Sequence, residues 1–101
     1  MKYLVWENKD ASDTVPIRVY VETDDHMYEQ RKVEFYHNRV IGYADRQRSK
    51  GRTLLSSAPL PSIQEMNVMR SHSVVMLNRE KFERIWAKYV EVGKTCDKEC
   101  Q

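Results

Sequence analysis

The side chains best suited to chemistry are three histidines, His26, His37 and His72, two cysteines, Cys96 and Cys100, and many carboxylates and cations. The histidines fall at turn and strand-end positions with no H-x-x-x-H or H-E-x-x-H spacing, and no C-x-x-C pair is present, so no metal set can be read. The same holds for nucleophiles and phosphates: there is no G-x-S-x-G elbow, no G-x-x-x-x-G-K loop and no G-x-G-x-x-G. With three glycines in the whole chain, a backbone cradle for an anion is disfavoured as well. Cys96 and Cys100 lie four apart in the polar tail TCDKECQ and are expected as free thiols without a role. The sequence therefore predicts no catalytic residue, no metal and no cofactor, and a binding function in place of an enzymatic one.

Charge patterning offers two candidate binding surfaces. Glu22 to Glu34 carries five acids against two cations, whereas Arg39 to Arg52 carries five cations against one acid, which predicts a dipolar molecule. Glu22, Asp24 and Asp25 surround the aromatic Tyr28, and like charges around an aromatic anchor suit a basic protein partner through steering and a buried contact. Asp10 and Asp13, in a second acidic loop, are expected to join that surface. The alternative surface is Arg46, Arg48, Lys50 and Arg52 beside Tyr36 and Tyr43, where cations would meet phosphates and a ring would stack a base. Nucleic acid is the weaker reading, because the formal charge is only +2, the pI is 8.6, and the acidic neighbour would repel a polyanion.

The elements that must position these residues follow from periodicity. Lys2 to Trp6 is short and rich in aromatic and β-branched residues, and Val15 to Glu22 alternates, with Val15, Ile17, Val19 and Val21 on one face. Met27 to His37 and Arg39 to Ala44 read as a hairpin turning at His37-Asn38, with Met27, Val33 and Phe35 sharing a face and Gly42 marking a bulge or a close approach. Arg31, Lys32 and Glu34 on that hairpin need partners or an exposed face. Asp45 to Ala58 reads as a long, exposed, mobile loop, and Ser62 with Glu65 three residues on forms a capping box for a short helix, Ile63 to Met69. Ser73 to Leu77 is an apolar extended run. Asn78 caps a helix, Arg79 to Val92, whose Phe82, Ile85, Trp86, Tyr89 and Val90 form one stripe, ended by Gly93.

The chain has 101 residues with 41% hydrophobic and 32% charged, enough for one small core and too little for two domains. The expected organisation is a single α+β domain over 1–92 and a polar tail over 93–101. Its fold is a four- or five-stranded, mainly antiparallel sheet, with a C-terminal amphipathic helix packed on one face and a short helix after a long loop. No h-region or 20-residue apolar run is present, so a cytoplasmic protein without membrane contact is expected.

Several stretches together resemble a family of small bacterial domains of unassigned activity: V-W-E at Val5 to Glu7, Y-x-E-x-D at Tyr20 to Asp24, Y-E-Q-R-K-V-E-F at Tyr28 to Phe35, G-Y-A at Gly42 to Ala44, L-P-S-I-Q-E-M-N at Leu60 to Asn67, and F-E-R-I-W at Phe82 to Trp86. Members look like immunity proteins, or antitoxins, of polymorphic-toxin and contact-dependent growth-inhibition systems. The resemblance implies binding of a cognate toxin C-terminal domain, a nuclease being one candidate, by a monomer in a 1:1 complex that covers the active site without turnover.

Overall fold

The computed structural model describes residues 1–12, 14–68 and 72–91, the side chains of 72 and 91 excepted. Six strands form one antiparallel sheet: β1 (Lys2–Asn8), β2 (Arg18–Thr23), β3 (Glu29–Phe35), β4 (Ile41–Ala44), β5 (Ser49–Lys50) and β6 (His72–Leu77), in the order β5-β4-β3-β2-β1-β6. Two helices complete the fold, α1 (Ile63–Val68) and α2 (Arg79–Trp86), the latter continued by a π-helical turn, Ala87–Glu91. The expected α+β class is present, with one or two strands more than the alternation signalled. The added strand is β5, two residues inside the stretch read as loop. The expected helix Arg79 to Val92 keeps α-helical bonding only to Trp86, and its Val92 and Gly93 end lies outside the described residues.

Both faces of the sheet are covered: β1 and β2 carry apolar residues on both sides, whereas β3 is apolar only toward α2. On the face under α2, Tyr3, Val33, Phe82, Trp86 and Val90 are buried, flanked by Tyr20, Phe35, Tyr43 and Tyr89. The aromatics meet edge to face: Phe35 lies 4.8 Å from Tyr89 and Tyr43 lies 6.0 Å from Trp86, centroid to centroid. On the opposite face, Leu4, Trp6, Val19, Val21, Met66 and Val74 close a second cluster with Met27, Leu60 and Ile63. The cap of α2 is as its sequence specifies, the Lys81 N–H donating to Asn78 Oδ1 at 2.8 Å. In α1, the Glu65 N–H donates to Ser62 Oγ at 3.1 Å, and Ser62 Oγ donates to the Glu65 carboxylate at 3.2 Å.

Two hairpin turns share one geometry. In the first, the Asp24 N–H donates to the Tyr28 carbonyl and the Met27 N–H to the Asp24 carbonyl, with Met27 at φ 69°. In the second, the Tyr36 N–H donates to Val40 and the Arg39 N–H to Tyr36, with Arg39 at φ 68°. Each is a turn followed by one left-handed residue, the arrangement that lets a three-residue loop keep the strand twist. The turn expected at His37-Asn38 places its left-handed residue one position later, at Arg39, while Asn38 Oδ1 accepts from the Val40 N–H. The first turn also moves the strand boundary: a register shift at Glu22/Thr23 and the bend at Met27 start β3 at Glu29, and Met27 packs with Leu4 and Val21 instead of with Val33.

Candidate functional site

The three hairpin charges each find a partner. Arg31 on β3 donates through Nε and Nη2 to both oxygens of Glu22 on β2, at 2.8 and 2.9 Å, and through Nη1 and Nη2 to both oxygens of Glu83 on α2, at 3.0 and 2.8 Å. Its guanidinium lies 5.0 Å from the Phe82 ring and 5.1 Å from Trp86, so two bidentate carboxylates and two rings fix it. The Glu22 hydrogen bonds keep Arg31 firmly charged, and Arg31 in turn holds the Glu83 carboxyl below its ordinary range. Burial, then the Glu22 charge, pushes the neighbouring Tyr3 phenol up. Glu22, expected to contact a partner, is instead 7% exposed under α2 and committed to Arg31. Its even spacing from Tyr20 places it on the helix-covered face, and sequence alternation gave no sign that this face was covered.

On the other face of β3 and β4, the covering segment is the chain after β5, residues 51–57, which crosses the sheet as a strap. Lys32 Nζ lies 3.0 Å from the Glu29 carboxylate, and the Ser56 N–H donates to the same oxygen at 2.7 Å. Glu34 accepts from Thr53 Oγ1 at 2.7 Å and from the Tyr36 hydroxyl at 3.1 Å. Thr53 is 1% exposed and sits against Gly42, where any Cβ would collide with its hydroxyl, so Gly42 marks a close approach. The stretch expected as a fully exposed loop is thus stapled by polar contacts at Thr53 and Ser56. Apolar patterning cannot reveal such a staple.

At one end of the sheet, the turn Asp24–Tyr28 and the segment 45–57 enclose a cleft of about 530 Å³ lined by Tyr28, Glu29, Arg46, Arg48, Leu54 and Ser56 among others. Tyr28 is 43% exposed and Leu54 66%. Asp24 Oδ1 accepts from the His26 and Tyr28 N–H groups at 2.9 and 3.0 Å, and the Tyr28 N–H above all holds its carboxyl below the ordinary value. Asp24 therefore shapes the turn, while Asp25, with its side chain 84% exposed, is the carboxylate that faces outward, 3.7 Å from the terminal amine of Met1. Arg46 reaches back to Gln30 at 3.0 Å. Of the expected acidic surface only Tyr28 lines the cleft, beside Arg46 and Arg48 of the basic one and the carboxylates Glu29 and Asp45, because antiparallel pairing of Lys32 with Ala44 returns the chain beside the first turn. The dipole expected from linear charge blocks is accordingly corrected to a mixed rim.

Other expected site residues are not brought here. Asp10 is exposed in the loop after β1, at the far end of β2, about 20 Å of strand away from Asp24. Asp13 lies outside the described residues, as do Cys96 and Cys100. The basic surface is split: Arg48 is ion-paired to Asp45 at 3.2 Å and lies 5.6 Å from the Tyr43 ring, and Lys50 is on β5. Arg52 lines a separate cavity with Tyr36 and Val40. Burial pushes the Asp45 carboxyl up, but the Gln47 and Arg48 N–H groups and the Arg48 side chain outweigh it and hold it low. Leu54 is the site residue that sequence reading missed; the Leu54-Leu55 pair inside a serine-rich stretch was the available signal.

Chemically, the cleft offers an aromatic and an aliphatic side chain beside charges of both signs. Among the described residues, no group of three or more His, Cys, Asp or Glu side chains could hold a metal ion, and Ser56 Oγ accepts only from the Ala58 N–H. No described helix is long and apolar enough to cross a membrane. No curated protein and no solved structure matches the chain. The profile of one family, described as a domain of unknown function, DUF6881, matches residues 2–91. That span takes in every described strand and helix, and the chain belongs to the DUF6881 family.

Proposed function

We propose that the protein is a non-catalytic immunity-type module that binds the C-terminal domain of a cognate toxin, one to one, and covers its active site. The observation that carries this reading is the pairing of two exposed apolar side chains, Tyr28 and Leu54, across one cleft that Glu29, Asp45, Arg46 and Arg48 also line. An aromatic anchor beside an apolar patch, ringed by charges of both signs, is the anatomy of a protein-recognition hot spot. The family likeness read from Tyr28 to Phe35 and from Gly42 to Ala44 supports the same function, since those stretches build the turn and strands flanking the cleft.

The test is co-expression. The C-terminal region encoded immediately upstream is expressed in bacteria with this protein, and growth and co-purification are followed. Rescue by the wild type is expected, and Tyr28→Ala combined with Arg46→Glu should lower affinity by roughly thirtyfold or more, as loss of a hot-spot anchor does. Rescue that survives this pair of substitutions in a folded protein contradicts the surface, and absence of both toxicity and complex contradicts the function. RNA binding through Arg46, Arg48, Lys50 and Arg52 is the second reading; affinity falling steeply with salt would favour it. The commitment of Arg48 to Asp45 and of Arg46 to Gln30 counts against it.

A further inference from the structure

The two outer strands of the sheet are protected very differently. β5 is two exposed residues, Ser49 and Lys50, ended by Gly51 at φ 72°, a short, charged and interrupted edge of the kind that resists further pairing. β6 is six residues, His72-Ser73-Val74-Val75-Met76-Leu77, with no Asp, Glu, Lys or Arg, no proline and no glycine, and Val75 and Met76 are 57% and 55% exposed. No described strand pairs with its outer side.

The hydrogen-bond alternation fixes which groups of β6 face outward. The Asn8 N–H donates to Ile17 beside β2, so Asn8, Trp6 and Leu4 turn their backbone polar groups toward β2, and Tyr3, Val5 and Glu7 turn theirs toward β6. Their partners Leu77, Val75 and Ser73 are thereby satisfied, and the groups of Val74 and Met76 point away from the sheet. The Val74 N–H confirms this geometry: it donates at 2.8 Å to Oδ1 of Asn67, which reaches over from α1. One side chain thus occupies an outward donor of an uncharged edge that no described strand pairs.

We propose that β6 pairs with β6 of a second copy of this chain about a two-fold axis at Val75, and that Asn67 restrains this pairing by competing for the Val74 N–H. The strand is self-complementary about that axis. Val74 and Met76 of one copy face Met76 and Val74 of the other as hydrogen-bonded pairs, and the two exposed Val75 side chains meet at the axis as a closely spaced pair. Met76 covers the same sheet face as Val74, so each Met76 extends the apolar cluster of the other copy. No like charges are brought together within the strand, the condition that a two-fold contact imposes on itself. The cleft between Tyr28 and Leu54 lies toward the β5 end, so each copy keeps its partner surface free and the inference stands independently of the proposed function.

Sedimentation equilibrium tests this on the full chain up to millimolar concentration. The wild type should rise from monomer to dimer mass with concentration. Asn67→Ala should tighten the dimer by roughly tenfold or more, because two competing hydrogen bonds are removed per dimer. Val75→Lys, at an exposed position that leaves the fold intact, should hold the chain monomeric alone and combined with Asn67→Ala, since it sets two cations opposite each other at the axis. Amide exchange at Met76 should slow in the dimer. A wild type and Asn67→Ala that both stay monomeric would overturn the proposal, and so would a dimer unaffected by Val75→Lys.

Discussion

The underside of the sheet is closed in two ways. Below β6, β1 and β2, Leu4, Trp6, Val19, Val21, Met66 and Val74 make an apolar contact, whereas below β3 and β4 the strap 51–57 is held by Glu29, Lys32, Glu34, Thr53 and the Ser56 N–H. Apolar closure is non-directional and grows with buried area, so it secures the fold. Polar closure adds little net stability per contact but fixes position, because each hydrogen bond has one geometry. The candidate cleft lies at the polar end, where the strap carries Leu54 outward while the Thr53 side chain points in and the Ser56 N–H holds Glu29. One end of the sheet is a scaffold, and the other presents a surface.

The largest effect is expected from the apolar closure. Leu4, fully buried on β1, should cost about 3–5 kcal/mol when replaced by Ala, measured by denaturant unfolding, and the loss should be global. A purely local effect, felt only by the turn and strap, would break the distinction between the two ends. Next is Arg31, which ties the covered upper face to α2. Arg31→Met should cost about 3 kcal/mol, the low end for a broken buried pair, because Glu83 keeps 42% exposure. The same variant sharpens the acid response. The Glu83 carboxyl is depressed below its ordinary 4.5 in the folded state, so its contribution is present above that value and lost as pH falls. Wild-type stability should decline in that acid window, and the Arg31→Met decline should be shallower.

A smaller and more local effect is expected at the strap. Gly42→Ala sets a methyl against the Thr53 hydroxyl and displaces the strap at about 1–3 kcal/mol. Amide exchange should rise at Ser56, whose N–H is held by Glu29, while Leu4 and Val21 amides stay protected. Uniform loss of protection would show that polar and apolar closures unfold as one unit.

Much of the scaffold was legible in the sequence and little of the site was. Asn78, Phe82 and Trp86 specified α2 because a cap and a 3.6-residue stripe are local signals. Gly42 and the paired hairpin charges were also legible as needs, since bare backbone and interior charges demand partners. Which partners answered was not: Glu83 is 52 residues from Arg31 and Thr53 is 19 from Glu34. Asp24 and Glu22 looked alike in the sequence as exposed acids, yet one shapes a turn and the other is buried beside Arg31, because strand parity and the helix above decided it. Leu54 was hidden by its polar surroundings.

The most direct test is a hydrogen-exchange footprint of the protein with and without the C-terminal domain encoded upstream, the proposed toxin. New protection is expected over the turn 24–28 and the segment 45–57, with α2 and β6 unchanged at a dilution that keeps the chain monomeric. Protection confined to α2 or to the loop after β1, with the cleft exchanging as before, would contradict it.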